Sequence, residues 1–275
     1  MIKDITFGQY YSASSIIHKL DPRLKIVLTV LQIVFIFIAD NAVSLTLMIV
    51  YFALQVLLSK VPVKMYLKNL KAIIPILVFT LIFNLFYGTG NVVFKFAFIT
   101  ITDESLIRSS FLILRILILI MAGALLTYTT SPNDLTDAIE KLLSPLRFLG
   151  LKSAVHTLAM MMTIALRFIP TLVEETEKII NAQKARGADF ESGSLKNKIN
   201  ALIPILIPLL ISSVRRAYEL AEAMECRCYN GCEGRIRMKQ FHLSLSDAVG
   251  FMVSVAFFAS VIVSNIYFNG IVWSF

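Results

Sequence analysis

Residues Thr163–Gly187 read TIALRFIPTLVEETEKIINAQKARG, and the fold turns on whether this stretch lies in lipid or beside it. Ala165, Ile169, Leu172, Val173, Thr176, Ile179 and Ile180 recur three and four residues apart, the spacing of one helical face. Glu174, Glu175, Glu177, Lys178 and Lys184 fall on the other face, where Glu174 and Lys178 are placed for an i,i+4 pair. The stripe begins further back, at Leu158, Met161 and Met162. Pro170 removes a backbone donor and predicts a bend. Gly187 suits the terminating position just after Arg186. The polar face is too charged to cross a bilayer, so the stretch reads as a long amphipathic helix outside the hydrocarbon.

A second stretch repeats the pattern. NKINALIPILIPLLISSVRRAYELAEAMECRCYNG, Asn197–Gly231, carries Ile207, Leu210, Ile211, Val214, Ala217, Tyr218, Ala221 and Met224 on one face. Arg215, Arg216, Glu219, Glu222 and Glu225 lie on the other, Arg215 and Glu219 again at i,i+4. Pro204 and Pro208 predict an irregular or bent start. Asn230 and Gly231 end the pattern just past Arg227. A shorter helix, TSPNDLTDAIEKLLSPL, precedes both. Ser131 is its cap, Pro132 its first turn, and Asp134 and Asp137 complement its positive end.

Around these helices the chain is apolar: 57% of residues are hydrophobic and 16% charged, against roughly a quarter charged in soluble chains. Five stretches approach the roughly 20 residues that a span requires: Leu24–Ile38, Ala42–Leu58, Ile73–Tyr87, Ser105–Tyr128 and Ser246–Phe268. The first begins after Lys19, Asp21, Arg23 and Lys25 with no small-residue cleavage site, which argues against a cleaved signal peptide. Lys3, Lys19, Arg23 and Lys25 precede span one. Lys60, Lys64, Lys68 and Lys71 separate spans two and three, while only Asp40 separates one and two. This alternation predicts an N-terminus in the cytoplasm and a C-terminus outside. The expected fold is an all-α integral membrane protein of about five transmembrane helices: four spans in 1–130, three amphipathic cytoplasmic helices in 131–245, and a last span in 246–275. The middle region holds 15 of the 26 basic and 12 of the 18 acidic residues. The net charge of +8 therefore reflects topology at a lipid surface and gives no reason to expect nucleic acid.

Arg115, in the fourth expected span, is the clearest intramembrane charge and pairs with a neighbouring helix or reaches outward. Ala122, Gly123 and Ala124 permit close helix packing. The apolar, β-branched NVVFKFAFITIT at 91–102 fits a short outer hairpin, a re-entrant piece or a contact surface. Cys226, Cys228 and Cys232, with His242 downstream, raise a zinc site, but C-x-C departs from the usual C-x2-4-C pairs and the reading falls to buried or incidental thiols. His18 and His156 have no nucleophile near them in sequence. The hydrolase elbow, the metalloprotease helix and the ATP-binding loop are all missing, so no catalytic residue, metal ligand or cofactor site is expected in this chain.

One arginine in a helix's last turn complements the negative end of the dipole and needs no further role. Two at equivalent ends of two long helices suit a docking pair, because a guanidinium makes bidentate bonds to a carboxylate or to free carbonyls.

Three blocks, GQYYSASSIIHKLDPRLK (Gly8–Lys25), LRFIPTLVEETEKIINAQKARGADF (Leu166–Phe190) and PLLISSVRRAYELAEAMECRCY (Pro208–Tyr229), resemble the transmembrane T component of energy-coupling factor transporters in order and spacing. The likeness runs from about Phe7 to about Arg237. It implies a non-catalytic subunit in the cell membrane, associated with two cytoplasmic ATPases and a membrane-embedded S component that captures a vitamin or a metal ion. Nucleotide would be bound by the ATPases. The family's coupling helices dock on the ATPases through Ala-Arg-Gly motifs. Ala185-Arg186-Gly187 is a full match. Cys226-Arg227-Cys228 keeps the arginine alone, which puts close backbone approach in doubt and leaves termination to Gly231. The Met160–Met162 run suits a sliding surface or a core filler. The alternatives are a membrane-embedded enzyme and a self-sufficient secondary carrier, which would need acids in mid-span.

Overall fold

The computed structural model describes residues 10–86, 92–96, 99–145, 152–188, 195–231 and 244–267. Described helices are α1 (Ile16–Lys19), α2 (Pro22–Ile38), α3 (Ala42–Ser59), α4 (Val63–Phe86), α5 (Asp103–Thr129), α6 (Pro132–Leu142), α7 (Lys152–Ala185), α8 (Leu195–Glu225) and α9 (Leu245–Tyr267). Between α4 and α5, β1 (Val92–Phe96) and β2 (Ile99–Thr102) pair antiparallel, Phe96 opposite Ile99 and Val92 opposite Thr102. The all-α class holds with this one strand pair added, and of the three readings of 91–102 the described residues, Val92–Phe96 and Ile99–Thr102, fit the hairpin.

The chain divides into two compact units, one of Gly8–Ala138 with Gln240–Phe275, the other of Met1–Phe7 with Ile139–Lys239. In the first, α5 packs on α2, α3 and α4, and α9 on α2 and α3. Ile36, Met48, Tyr51, Tyr128, Phe258 and Val261 form its core. Phe35 stacks on Phe258 with ring centroids 4.5 Å apart, and the Tyr51 hydroxyl donates to Ser254 at 2.8 Å. Leu57, Phe79, Met252 and Ile266 stay exposed, as lipid-facing side chains must.

Polar bonds fasten the helix ends. Asp21 caps α2 by accepting the Arg23 amide at 2.9 Å and lies 3.9 Å from the Arg23 guanidinium. Asp247 accepts the Asp21 amide at 2.8 Å and the Ser244 amide at 2.7 Å, so one carboxylate ties the start of α9 to the start of α2. Lys25 donates to the carbonyls of His18 (3.2 Å) and Thr129 (3.0 Å), the latter at the end of α5. Arg115 donates to the Ala39 carbonyl at the end of α2. It satisfies an orphan helix carbonyl, so its intramembrane charge has a structural use.

Five described helices are long and apolar enough to cross a membrane: α3, α4, α5, α7 and α9. The number matches the expectation, but the set does not. At 17 residues, α2 rises about 25 Å against a hydrocarbon core of about 30 Å. The first half of α7 qualifies because its acidic cluster starts only at Glu174, and the sequence reading weighed the whole helix as charged. The third span also differs. α4 begins at Val63, so Lys64, Lys68 and Lys71 ride on its first turns and not in a loop.

In the second unit α7 and α8 run antiparallel, touching along their length. Gln183 meets Pro204 at 3.5 Å, Glu175 meets Ser212 and Arg216, and the Tyr229 hydroxyl just past α8 meets the Met160 sulfur at 3.0 Å. Both helices continue through their prolines, so of the irregular or bent start expected for α8 the irregular alternative does not hold. The reason is local. Pro208 has no N–H to give the Pro204 carbonyl, and the Gln183 side chain donates to it from α7. The two i,i+4 pairs expected from sequence do not form either. Among the described residues the ion pair on this helix pair is Arg216–Glu175, at 2.8 Å between helices. Antiparallel packing sets the apolar half of each helix beside the charged half of the other.

Candidate functional site

Both expected docking motifs sit on helix ends of the same construction. At the end of α7 the Ala188 amide donates to the Gln183 carbonyl at 3.0 Å and the Gly187 amide to Lys184 at 3.0 Å. Gly187 has φ +87. This is a Schellman cap, with Arg186 at Ccap and Gly187 at the left-handed position that follows. At the end of α8 the Tyr229 amide donates to Met224 at 3.1 Å and the Cys228 amide to Glu225 at 2.8 Å. Here the left-handed residue is Cys228, at φ +55, and Arg227 is the Ccap.

The second motif therefore keeps the backbone of the first without its glycine. This corrects the expectation that Gly231 terminates α8. Gly231 also has positive φ, +80, but it lies beyond the cap. Sequence reasoning took glycine as the signal for the left-handed position and so missed a cysteine that holds it at a cost of about 1–2 kcal/mol.

Ala185, Arg186, Gly187, Cys226, Arg227 and Cys228 are all exposed. The last amides of each end are bonded within its cap, and the two guanidinium groups stand exposed beside the caps. The antiparallel register places them apart. Arg227 is level with Met160–Met162, and at 1.5 Å per residue Arg186 stands roughly 35–40 Å away along the same axis.

Cys226 and Cys228 are free and exposed, so of the two readings, buried or incidental thiols, the buried one does not hold. Cys232 and His242 lie outside the described residues. His156 bonds Glu140 at 3.1 Å, tying α7 to the end of α6 within this unit. Met161 and Met162 are exposed together with Leu158, Leu206, Leu210 and Ile211 and belong to an outer surface, while Met160 is partly buried against the Tyr229 hydroxyl.

Between the two ends lies an open groove lined by Arg167, Phe168, Thr171, Ser212, Arg215, Arg216 and Glu219. Nothing in the periodicity announced it, because its residues come from two helices whose register the sequence does not give.

Residues 13–238 match the family described as cobalt transport protein, CbiQ. A relative from Ruminiclostridium cellulolyticum, named energy-coupling factor transporter transmembrane protein EcfT, is 48% identical over 268 residues, covering 98% of this chain and 100% of its own. The protein of the same name from Clostridium kluyveri is 48% identical over 271 residues, with the same coverage. That from Thermosediminibacter oceani is 45% identical over 253 residues, covering 92% of this chain and 95% of its own.

Proposed function

Because the chain belongs to the CbiQ/EcfT family of transporter transmembrane proteins, we propose that it is the coupling subunit between two cytoplasmic ATPases and a vitamin-binding S component. It is a multi-pass cell-membrane protein and the transmembrane part of an energy-coupling factor transporter. In the proposed complex it binds no cofactor, and ATP is held by the ATPases. Arg186 meets one ATPase and Arg227 the other. When the ATPases close on nucleotide, the two tips move with them and α7 and α8 tilt or slide. The exposed apolar side chains of these helices then reorient the S component, on the microsecond-to-millisecond scale or slower.

One observation carries this reading: two arginines at the Ccap of matched Schellman ends, exposed, at opposite ends of one antiparallel pair. Two separate grips are what a motor of two subunits requires. The same pairing favours a position along the cytoplasmic membrane surface for α7 and α8. If α7 crossed the bilayer by its apolar half, it would draw Glu219, Glu222 and Glu225 of α8 into hydrocarbon, at about 2.5–3.5 kcal/mol per buried charge. On this reading α2 takes the fifth crossing, the N-terminus is inside and the C-terminus outside.

The test is the variant Arg186→Ala/Arg227→Ala in the complete complex, measured by capture of the ATPases and by ATP-driven vitamin uptake into proteoliposomes. Loss of both, with helix content unchanged, is expected. Full retention of both refutes the docking role.

A further inference from the structure

Lys64, Lys68 and Lys71 stand at i, i+4 and i+7 on the first turns of α4. At about 100° per residue they share one stripe about 60° wide. All three are exposed, and among the described residues their side chains make no ion pair or hydrogen bond. Lys60, also exposed, sits in the turn just before them. No acidic residue occurs between Asp40 and Asp103. The helix packed on α4 brings none to this end either. Tyr66 meets Tyr128 with ring centroids 5.3 Å apart, so α5 runs antiparallel to α4 and holds Asp103 and Glu104 at the far end. Three ammonium groups in one row therefore lack a protein counter-charge in this unit.

What continues along the same face selects the ligand. Tyr66, Leu70, Ile73 and Leu77 face α5, where they meet Leu117, Met121 and Ala124. The lysine row lies on roughly the opposite side of α4. Beyond Lys71 it runs on at alternating steps of four and three into Pro75, Val78 and Ile82, all exposed. The face is thus cationic over about 10 Å at the end of the span and apolar over about 16 Å beyond it. The long lysine stems let the charges reach the headgroup layer while their own apolar parts stay against the helix. Positive charge at a span's end also sets topology, but that rule counts charges and is indifferent to their angle. It does not call for three in a row above an apolar row. A water-soluble acidic segment would match the lysines and could not follow the face into hydrocarbon.

We infer that this face of α4 binds an anionic phospholipid, its phosphate held by Lys64, Lys68 and Lys71 and its acyl chain lying along Pro75, Val78 and Ile82. Bound there, the lipid holds the start of α4 at the depth of the headgroups. The site is independent of the arginine tips and of what they grip.

The experiment uses the complete complex in vesicles of phosphatidylcholine and phosphatidylglycerol, about four to one, with an acyl-chain diazirine carried on one lipid or the other. At equal probe concentration, phosphatidylglycerol should label the peptide around Val78 and Ile82 about tenfold more heavily than phosphatidylcholine. Lys64→Gln/Lys68→Gln/Lys71→Gln should bring the two lipids level, Lys64→Arg/Lys68→Arg/Lys71→Arg should keep the preference, and added salt should weaken it. Unchanged capture of the ATPases shows that assembly and topology survive in the variants, and the wild-type comparison stands without them. Equal labelling by the two lipids in the wild type, or a preference that the glutamine variant retains, overturns the inference. Displacement by inorganic phosphate overturns it in favour of a free anion. A benzophenone at Val78 that crosslinks to the S component and not to lipid overturns it in favour of a protein contact.

Discussion

Gly187 and Cys228 hold the same backbone position at the ends of different helices, each one residue past an exposed arginine and each at positive φ. A glycine takes that conformation freely, and a cysteine does not. Space is not the issue at Gly187, where an added Cβ would meet nothing within 4 Å. The exchange can therefore be read as backbone strain alone. Cys228→Gly should stabilise the end of α8 by about 1 kcal/mol, and Gly187→Ala should weaken the end of α7 by about as much. Hydrogen exchange at the amides of Gly187, Ala188, Cys228 and Tyr229 reads each cap separately. Faster exchange at 228–229 in Cys228→Gly would contradict the assignment.

Asp247 is buried and holds two backbone amides. Asp247→Ala leaves the buried Asp21 amide without a partner and should cost about 2–3 kcal/mol, seen as a lower unfolding temperature in detergent. Asp247→Asn keeps one acceptor oxygen in place and should lose less. Equal losses would mean that the charge matters more than the bonds.

The Glu175–Arg216 pair is the polar contact at the middle of α7 and α8, and both partners are partly exposed, 23% and 31%. Screening by water limits their coupling to about 1 kcal/mol or less. A double-mutant cycle with Glu175→Gln and Arg216→Gln should return a value in that range, and exchange along α7–α8 should quicken in either single variant.

His18 is half-buried, and burial is the largest cause that pulls its pKa below the ordinary 6.5. Its Nε2–H donates to the Tyr11 carbonyl at 2.9 Å, so in the neutral ring Nδ1 accepts the Ser15 hydroxyl at 2.7 Å. The unfolded chain then takes up a proton near pH 6.5 that the folded chain declines. Stability from this group is full above that pH and falls as the pH drops below it. His18→Gln should flatten that part of the unfolding-temperature profile. A profile that His18→Gln leaves unchanged would show that the ring does not contribute.

Topology is open to the exposed thiols. In a Cys232→Ser background, a membrane-impermeant maleimide should label Cys226 and Cys228 in inside-out vesicles and not in intact cells. Labelling of intact cells would invert the proposed orientation.

Much of this was legible in the sequence, and the parts that were not share a cause. Helix existence follows from periodicity and capping residues, so α6 with its Ser131 cap and the long α7 and α8 were all expected. Arg186 was marked by a full three-residue match and Arg227 by its arginine alone. What periodicity cannot give is the register between helices. The cross-helix pair Glu175–Arg216, the donation from Gln183 to Pro204 and the central groove all depend on how α7 lies along α8. The prolines of α8 looked like breakers because the donor that accommodates one of them sits on another helix. Cys228 was misread because the cap is set by φ, and residue type reports φ only on average.

The Gln183–Pro204 contact has a mechanical consequence. With Pro208 one turn on, the Pro204 carbonyl has no donor within its own helix to fall back on. The contact is exposed, so shear of one rod past the other would hand that carbonyl to water, and the bond marks the register of the pair more than it resists a load.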